Sequence, residues 1–280
     1  MKILRTVSEL RKWSRALHCI GETVALVPTM GALHAGHASL IRTARQHSTH
    51  VVVSIFVNPT QFGPNEDFNR YPRAFEADCA LADSEGAEAI FAPPVEEMYP
   101  TGAATFVDLY SLTDRLDGAS RPGHFRGVAT IVAKLLIAAE PDQAIFGQKD
   151  AAQVAVIRRV VQDLRLPTEI VVCPIVRDAD GLALSSRNVY LSPTERMQAL
   201  ALNRTIRLVE TLSASGERNR SVLVSAARKV ISAVPEVQVD YVALVDWSTL
   251  QPVDVAEPGS LFAVAAKVGP TRLIDNTILA

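Results

Sequence analysis

Residues 51–57 read Val51-Val52-Val53-Ser54-Ile55-Phe56-Val57, apolar nearly throughout, and Asn58-Pro59 follows as a turn signal. A strand with one wet face alternates apolar and polar residues. An unbroken run suits a strand covered on both faces of a parallel sheet. Upstream, Thr6-Val7-Ser8-Glu9 is a capping box, and Leu10, Trp13 and Leu17 recur at helical spacing until Gly21. Residues 23–27 form a short apolar strand that Pro28-Thr29-Met30-Gly31 breaks, and a helix from His37 carries Leu40, Ile41 and Ala44 on one face. Downstream, residues 58–73 are loop-like, with Pro59, Gly63, Pro64, Asn65 and Pro72 as breakers. Helical patterns over 74–84, over 125–139 and along Val154, Ile157, Val161 and Leu164 then alternate with strand-like runs at 89–92, 144–146 and 170–172. This rhythm predicts an α/β fold, a Rossmann-like parallel sheet wrapped by helices.

After Val176 the texture changes. Asp180-Gly181 is a turn, and Ser192-Pro193-Thr194-Glu195 is a second capping box with Pro at the first helical position. Helices over 193–213 and 218–232 precede strand-like runs at 237–245, 261–268 and 271–279 with no helix between them. The expected organisation is a nucleotide-binding domain over 1–176 and a smaller α+β lid domain over 177–280. A length of 280 residues fits two domains at about 150 residues each. The 28 basic and 30 acidic residues give a formal charge of −2, which argues against a protein built around a nucleic-acid backbone. Cys19, Cys79 and Cys173 are odd in number and far apart, so neither a disulfide scaffold nor a cysteine zinc site is expected. The longest apolar stretch, 128–139, is interrupted by Lys134, so no membrane span is expected, and no leader is read at the N-terminus. Cytoplasmic localisation is the expectation.

Four stretches carry chemistry. Pro28 to His37 lies between a strand and a helix, where open parallel sheets place their ligand crevice. N–H groups at the helix start suit an anion, Gly36 lets a phosphate approach the backbone, and His34 and His37 can donate to phosphate oxygens. A surface or packed histidine pair is the bland alternative, and a zinc pair would need a third ligand that no H-E-x-x-H motif supplies. Asn58-Pro59-Thr60-Gln61-Phe62-Gly63 offers neutral donors and acceptors for a hydroxylated substrate, or forms an ordinary turn. In Phe146-Gly147-Gln148-Lys149-Asp150 with Gln153, Lys149 can reach phosphates and Asp150 can cap a helix; a capped helix with a solvated lysine is the alternative. Ser185-Ser186-Arg187-Asn188 offers hydroxyls and a guanidinium as a second phosphate clamp, or serves as a polar hinge.

With these stretches in view, the chain resembles the pantothenate synthetase (pantoate–β-alanine ligase) family of the H-x-G-H nucleotidyltransferase superfamily. The likeness runs along nearly the whole chain, through 27–37, 53–63, 66–73, 124–128, 146–150, 185–191 and the ending Thr271-Arg272-Leu273-Ile274-Asp275-Asn276. It implies an ATP-dependent ligase. Pantoate carboxylate attacks the α-phosphate of ATP, and β-alanine then displaces AMP from the pantoyl adenylate. By resemblance, His34, His37, Lys149, Ser185, Ser186 and Arg187 hold the phosphates and stabilise charge. Met30, Gly36, Gly147 and Asp150 line the ATP site, and Gln61 and Gln153, with Asn58, hold pantoate. Tyr71, Arg121 and His124 are further candidates, and Asp78 is the candidate magnesium ligand. The resemblance also implies a homodimer acting on D-pantoate, β-alanine and ATP with Mg2+. An adenylyltransferase that stops at a nucleotide-linked product would instead need a basic subsite for an acceptor phosphate, where Gln61 and Gln153 are neutral. Departures from the family pattern are Ala35 and Gln148 where Glu is frequent, Leu184 where Met is frequent, and the small pair Ala151-Ala152. Each neighbours a motif residue without deleting one.

Overall fold

The computed structural model describes residues 1–64 and 66–280; the loop breaker Asn65 lies outside the described residues. Two compact units are present: Met1–Gly147 with Val156–Pro174, and Gln148–Ala155 with Ile175–Ala280. In chain order the elements are β1 (Lys2–Leu4), α1 (Val7–His18), β2 (Val24–Thr29), α2 (Ala35–His47), β3 (His50–Ile55), α3 (Phe75–Ser84), β4 (Ala89–Phe91), the short α4 (Val95–Met98) and α5 (Asp117–Ser120), then α6 (His124–Ala139), β5 (Gln143–Gly147), α7 (Ala151–Asp163) and β6 (Glu169–Cys173). The second unit continues with α8 (Pro193–Ala214), α9 (Arg220–Ser232), β7 (Val237–Val245), β8 (Leu261–Val268) and β9 (Thr271–Ile278). Among the described residues no helix is long and apolar enough to cross a membrane.

In the first unit the described strands form a parallel sheet in the order β1-β4-β3-β2-β5-β6. The chain runs from β2 outward to β3 and β4, then returns to the other side of β2 at β5. That reversal puts a topological switch point at the carboxyl ends of β2 and β5, where such sheets bind ligands. Val51, Val52 and Val53 on β3 are each 0% exposed, as expected of a strand covered on both faces. At about 1.5–3 kcal/mol for each fully buried aliphatic side chain, β3 is a strand that cannot take a polar residue cheaply. Both predicted capping boxes form: Thr6 with Glu9 starts α1, and Ser192 with Glu195 starts α8.

The sequence pattern ends β2 before Pro28, yet the strand continues through Pro28 and Thr29, paired with Ser54 and Ile55 of β3. Alternate residues bond to opposite neighbours: the carbonyl of Thr29 accepts from Phe56 on the β3 side, and that of Val24 accepts from Asp142 on the β5 side. Pro28 therefore turns its nitrogen toward β5, whose pairing with β2 ends at Leu26. A proline costs no ladder bond there. The three residues of β1 are too few to show a period in the sequence; the strand adds to the sheet edge by pairing with β4.

The second unit is α+β, as expected. Its described strands form an antiparallel sheet in the order β7-β8-β9, with a bulge between Val239 and Tyr241. Leu202, Ile206, Leu223, Ile231, Phe262 and Val264 are part of its core. Ahead of α8, Arg177 bridges Ala183 in an antiparallel turn that delivers the chain to a tight turn at Ser186–Tyr190.

Candidate active site

The carboxyl end of β2 leads into a turn built around one buried carboxylate. Asp78 on α3 accepts backbone N–H bonds from Ala32 at 2.9 Å and Leu33 at 2.7 Å. Gly31 has φ +81°, and a Cβ there would lie 2.8 Å from Asp78 Oδ2 and 3.1 Å from Ile55, so the carboxylate can sit against this turn only where a side chain is missing. Asp78 is 2% exposed, and burial raises its carboxyl above the ordinary range while the two backbone bonds oppose the rise. Asp78, the expected magnesium ligand, accepts one backbone N–H on each carboxylate oxygen and so anchors the turn. The described residues contain no group of three or more His, Cys, Asp or Glu placed to hold a metal ion, so a zinc site at His34 and His37 has no third protein ligand among them.

The anchored turn presents the H-x-G-H stretch at the start of α2. His34 is the N-cap: its Nδ1 accepts the Gly36 N–H at 3.1 Å, and His37 Nδ1 accepts the His34 N–H at 3.2 Å. The two imidazoles thus form a capping box with each other, their rings 4.2 Å apart. The sequence offered the helix-start N–H groups to an anion; two of the N–H groups at this turn are already bonded to ring nitrogens. The consequence is chemical. With Nδ1 an acceptor in both rings, the neutral imidazole carries its proton on Nε2, which makes Nε2–H the donor each ring has to give.

Shortly after β3, Asn58 caps a single 3-10 turn, Pro59–Gln61, of which Gln61 is the last residue. Asn58 is 1% exposed and Gln61 8%. Asn58 Nδ2 donates to Gln61 Oε1 at 3.0 Å and to the Gly127 carbonyl at 3.1 Å, while its Oδ1 accepts from Tyr99 OH at 2.8 Å and Thr60 Oγ1 at 2.9 Å. Gln61 Nε2 donates to Met30 Sδ at 2.9 Å. Met30, expected along the nucleotide site, thus touches the expected pantoate ligand. A thioether is a weak acceptor, so this bond is easily exchanged for a stronger one.

Behind Gln61 stands a charged relay. Arg121 Nε and Nη2 donate to the two Glu66 oxygens at 2.7 and 2.6 Å, and Arg121 Nη1 lies 2.9 Å from His124 Nε2. His124 Nδ1 lies 2.9 Å from the Gln61 carbonyl. An arginine can only donate, so Nε2 accepts and Nδ1–H donates, which is the neutral ring. Desolvation first, and the Arg121 charge second, lower His124 to about 4. Burial pushes Glu66 upward, but the bonds and charge of Arg121 outweigh it and hold the carboxyl below its ordinary value. Tyr71 is buried nearby, its ring 6.0 Å from Phe62.

In the second unit Lys149 and Asp150 lie on the 3-10 turn Gln148–Asp150 and Gln153 near the start of α7. Gly147, the last residue of β5, ends the first unit's main segment. Ser185 caps the turn that carries Ser186 and Arg187, its Oγ accepting the Arg187 N–H at 3.3 Å. Both segments are tied to β9: Asn276 bonds to Gln148 and Lys149, and Asp275 pairs with Arg177.

Residues 2–278 match the family described as pantoate-β-alanine ligase. The chain belongs to this family. It is 55% identical over 279 residues to the pantothenate synthetase of Koribacter versatilis, spanning 100% of this chain and 96% of that one. The pantothenate synthetase of Thermus thermophilus superposes with a TM-score of 0.93 at 47% identity, over 99% of both chains. A Francisella tularensis pantoate-β-alanine ligase, solved in complex with β-γ ATP and β-alanine, gives 0.81 at 33% identity over 99% of this chain and 97% of that one.

Three features of this pantoate–β-alanine ligase site had no role in the sequence reading: Glu66, Gly127 and the Asp275-Asn276 pair. Each lies inside a stretch that carried the family likeness. A glutamate 55 positions from its arginine partner, or an asparagine 128 positions from the carbonyl it holds, gives no local pattern to read. Gly127 alone left a trace, as a glycine inside a helical pattern, where it costs about 1 kcal/mol relative to alanine.

Proposed function

We propose that the chain condenses D-pantoate with β-alanine to pantothenate through a pantoyl adenylate, with ATP yielding AMP and pyrophosphate. The observation that carries this reading is the family match over residues 2–278, with the paired imidazoles of His34 and His37 at the start of α2, beside the switch point of the parallel sheet. In the first step a pantoate carboxylate oxygen attacks the α-phosphorus and the bond to pyrophosphate breaks. A carboxylate is already ionised near neutral pH, so no general base is required. What the step requires is alignment of two anions, which can contribute about 7–11 kcal/mol in well-oriented cases. His34 and His37 donate to phosphate oxygens, and Lys149, Ser185, Ser186 and Arg187 supply further donors and positive charge. Gly36, Gly147 and Asp150 serve the nucleotide. Gln61 and Gln153 hold the pantoate hydroxyls and carboxylate, Gln61 exchanging its bond to Met30 for one to substrate while Asn58 keeps it in place. In the second step the β-alanine nitrogen attacks the acyl carbon, the carbon–oxygen bond to AMP breaks, and the nitrogen loses a proton to give the amide.

Mg2+ enters with ATP as part of the substrate, bound chiefly by phosphate oxygens and water, as magnesium prefers. By analogy with the family the working form is a cytoplasmic homodimer, which sedimentation of the purified protein checks: a single-chain mass would rule the dimer out. The reaction itself is tested by mixing protein, ATP, magnesium, D-pantoate and β-alanine with each component omitted in turn. AMP and pantothenate should both require all five. Release of AMP at the same rate without β-alanine would refute the two-step ligase.

A further inference from the structure

The ending Asp275-Asn276 carries the family likeness, yet nothing in the reaction as derived uses it. Both residues sit on β9 and are buried, at 2% and 4% exposure. Asn276 Nδ2 donates to the Gln148 carbonyl at 3.0 Å and the Lys149 carbonyl at 2.9 Å, and its Oδ1 accepts from Gln148 Nε2 at 3.3 Å. These contacts use both amide hydrogens and fix which way the amide faces. Trp247 Nε1 adds a fourth tie to the same stretch, donating to the Ala151 carbonyl at 2.8 Å. Asp275 accepts two bonds from Arg177, at 2.7 and 2.8 Å, and one from the Asn276 backbone N–H at 2.8 Å. Arg177 opens the turn that leads to Ser185, and it also donates to the Gly181 carbonyl at 3.2 Å inside that turn.

A strand needs no such side-chain bonds to pair with β8; its ladder is complete without them. Two adjacent buried polar residues, one bonded to the Gln148–Lys149 backbone and the other to Arg177 at the start of the turn ahead of Ser185, are expensive unless the positions they fix matter. We propose that Asn276 is a positioning residue for Lys149, holding the backbone on which the lysine stands, and that the Asp275–Arg177 pair does the same for the Ser185–Arg187 turn. This rests on the assignment of Lys149 to ATP phosphates, so the test separates the two claims.

Asn276→Ala, Lys149→Ala and the double variant are compared in the full-length protein by calorimetric ATP affinity, single-turnover pyrophosphate release and melting temperature. A misplacement of about 1 Å at a reacting group can cost about 100-fold in rate. Asn276→Ala should therefore weaken ATP binding and slow adenylate formation by about 10- to 100-fold with KM for β-alanine unchanged. In the Lys149→Ala background the same substitution should add little, because the group it positions is gone. If Asn276→Ala does not fold, Asn276→Ser, which keeps one donor, should show a smaller loss in the same direction. A drop in melting temperature with unaltered turnover per folded molecule would overturn the proposal, as would an equal loss with and without Lys149. Wild-type turnover in Lys149→Ala would instead remove Lys149 from the phosphate site, and the positioning role with it.

Discussion

Arg121 donates to Nε2 of His124, and His124 donates from Nδ1 to the Gln61 carbonyl, so a proton added to the ring must displace the arginine. That is why the half-buried ring is lowered to about 4 by desolvation and by the Arg121 charge. Between the ordinary histidine value near 6.5 and about 4, the unfolded chain takes a proton that the folded chain refuses. Stability therefore falls as pH drops through that window, by at most about 3 kcal/mol, and this contribution is flat below it. His124→Gln, which cannot ionise, should flatten the fall of melting temperature between about pH 6.5 and about pH 4.5. Equal slopes in both proteins would show that the ring is not held neutral. At this scale the sequence was partly legible. Residue type and position after a strand were enough to mark His34, His37, Asn58 and Gln61 as candidates, and the family resemblance supplied their roles. The role of Asp78 was not readable, because its partners are backbone N–H groups 45 and 46 positions away.

Helix α6 meets the 3-10 turn Pro59–Gln61 at Gly127. A Cβ there would fall 2.4 Å from the Thr60 carbonyl oxygen and 2.7 Å from Gln61 Cα, both backbone atoms with no room to yield. Gly127→Ala should push the turn off the helix, at about 1–3 kcal/mol for overpacking, and move Gln61 with it. The expected result is a raised KM for pantoate together with a lower kcat, larger than the change in KM for β-alanine or ATP. Unchanged pantoate kinetics would separate Gln61 from pantoate. Elements were well legible where periodicity or caps were strong. The Thr6 and Ser192 capping boxes and the β7 and β8 boundaries emerge as read, while the run from Val51 is a strand that ends at Ile55, two residues short of Val57. Local pattern failed where tertiary pairing decides: Pro28 stays in β2 because its nitrogen faces an unpaired side, and β1 exists because β4 offers an edge.

For the molecule as a whole, the family match over 2–278 takes in both compact units. A formal charge of −2 leaves the binding of small anionic substrates to local groups and not to the charge of the whole molecule. The central claim is that pantoate attacks ATP at the α-phosphorus through its own carboxylate oxygen. Pantoate labelled with 18O in the carboxylate, turned over with ATP, magnesium and β-alanine, tests it most directly by mass spectrometry of the nucleotide product. The account predicts one labelled oxygen in AMP and none in pyrophosphate. Unlabelled AMP, or label in orthophosphate alongside ADP, would contradict it.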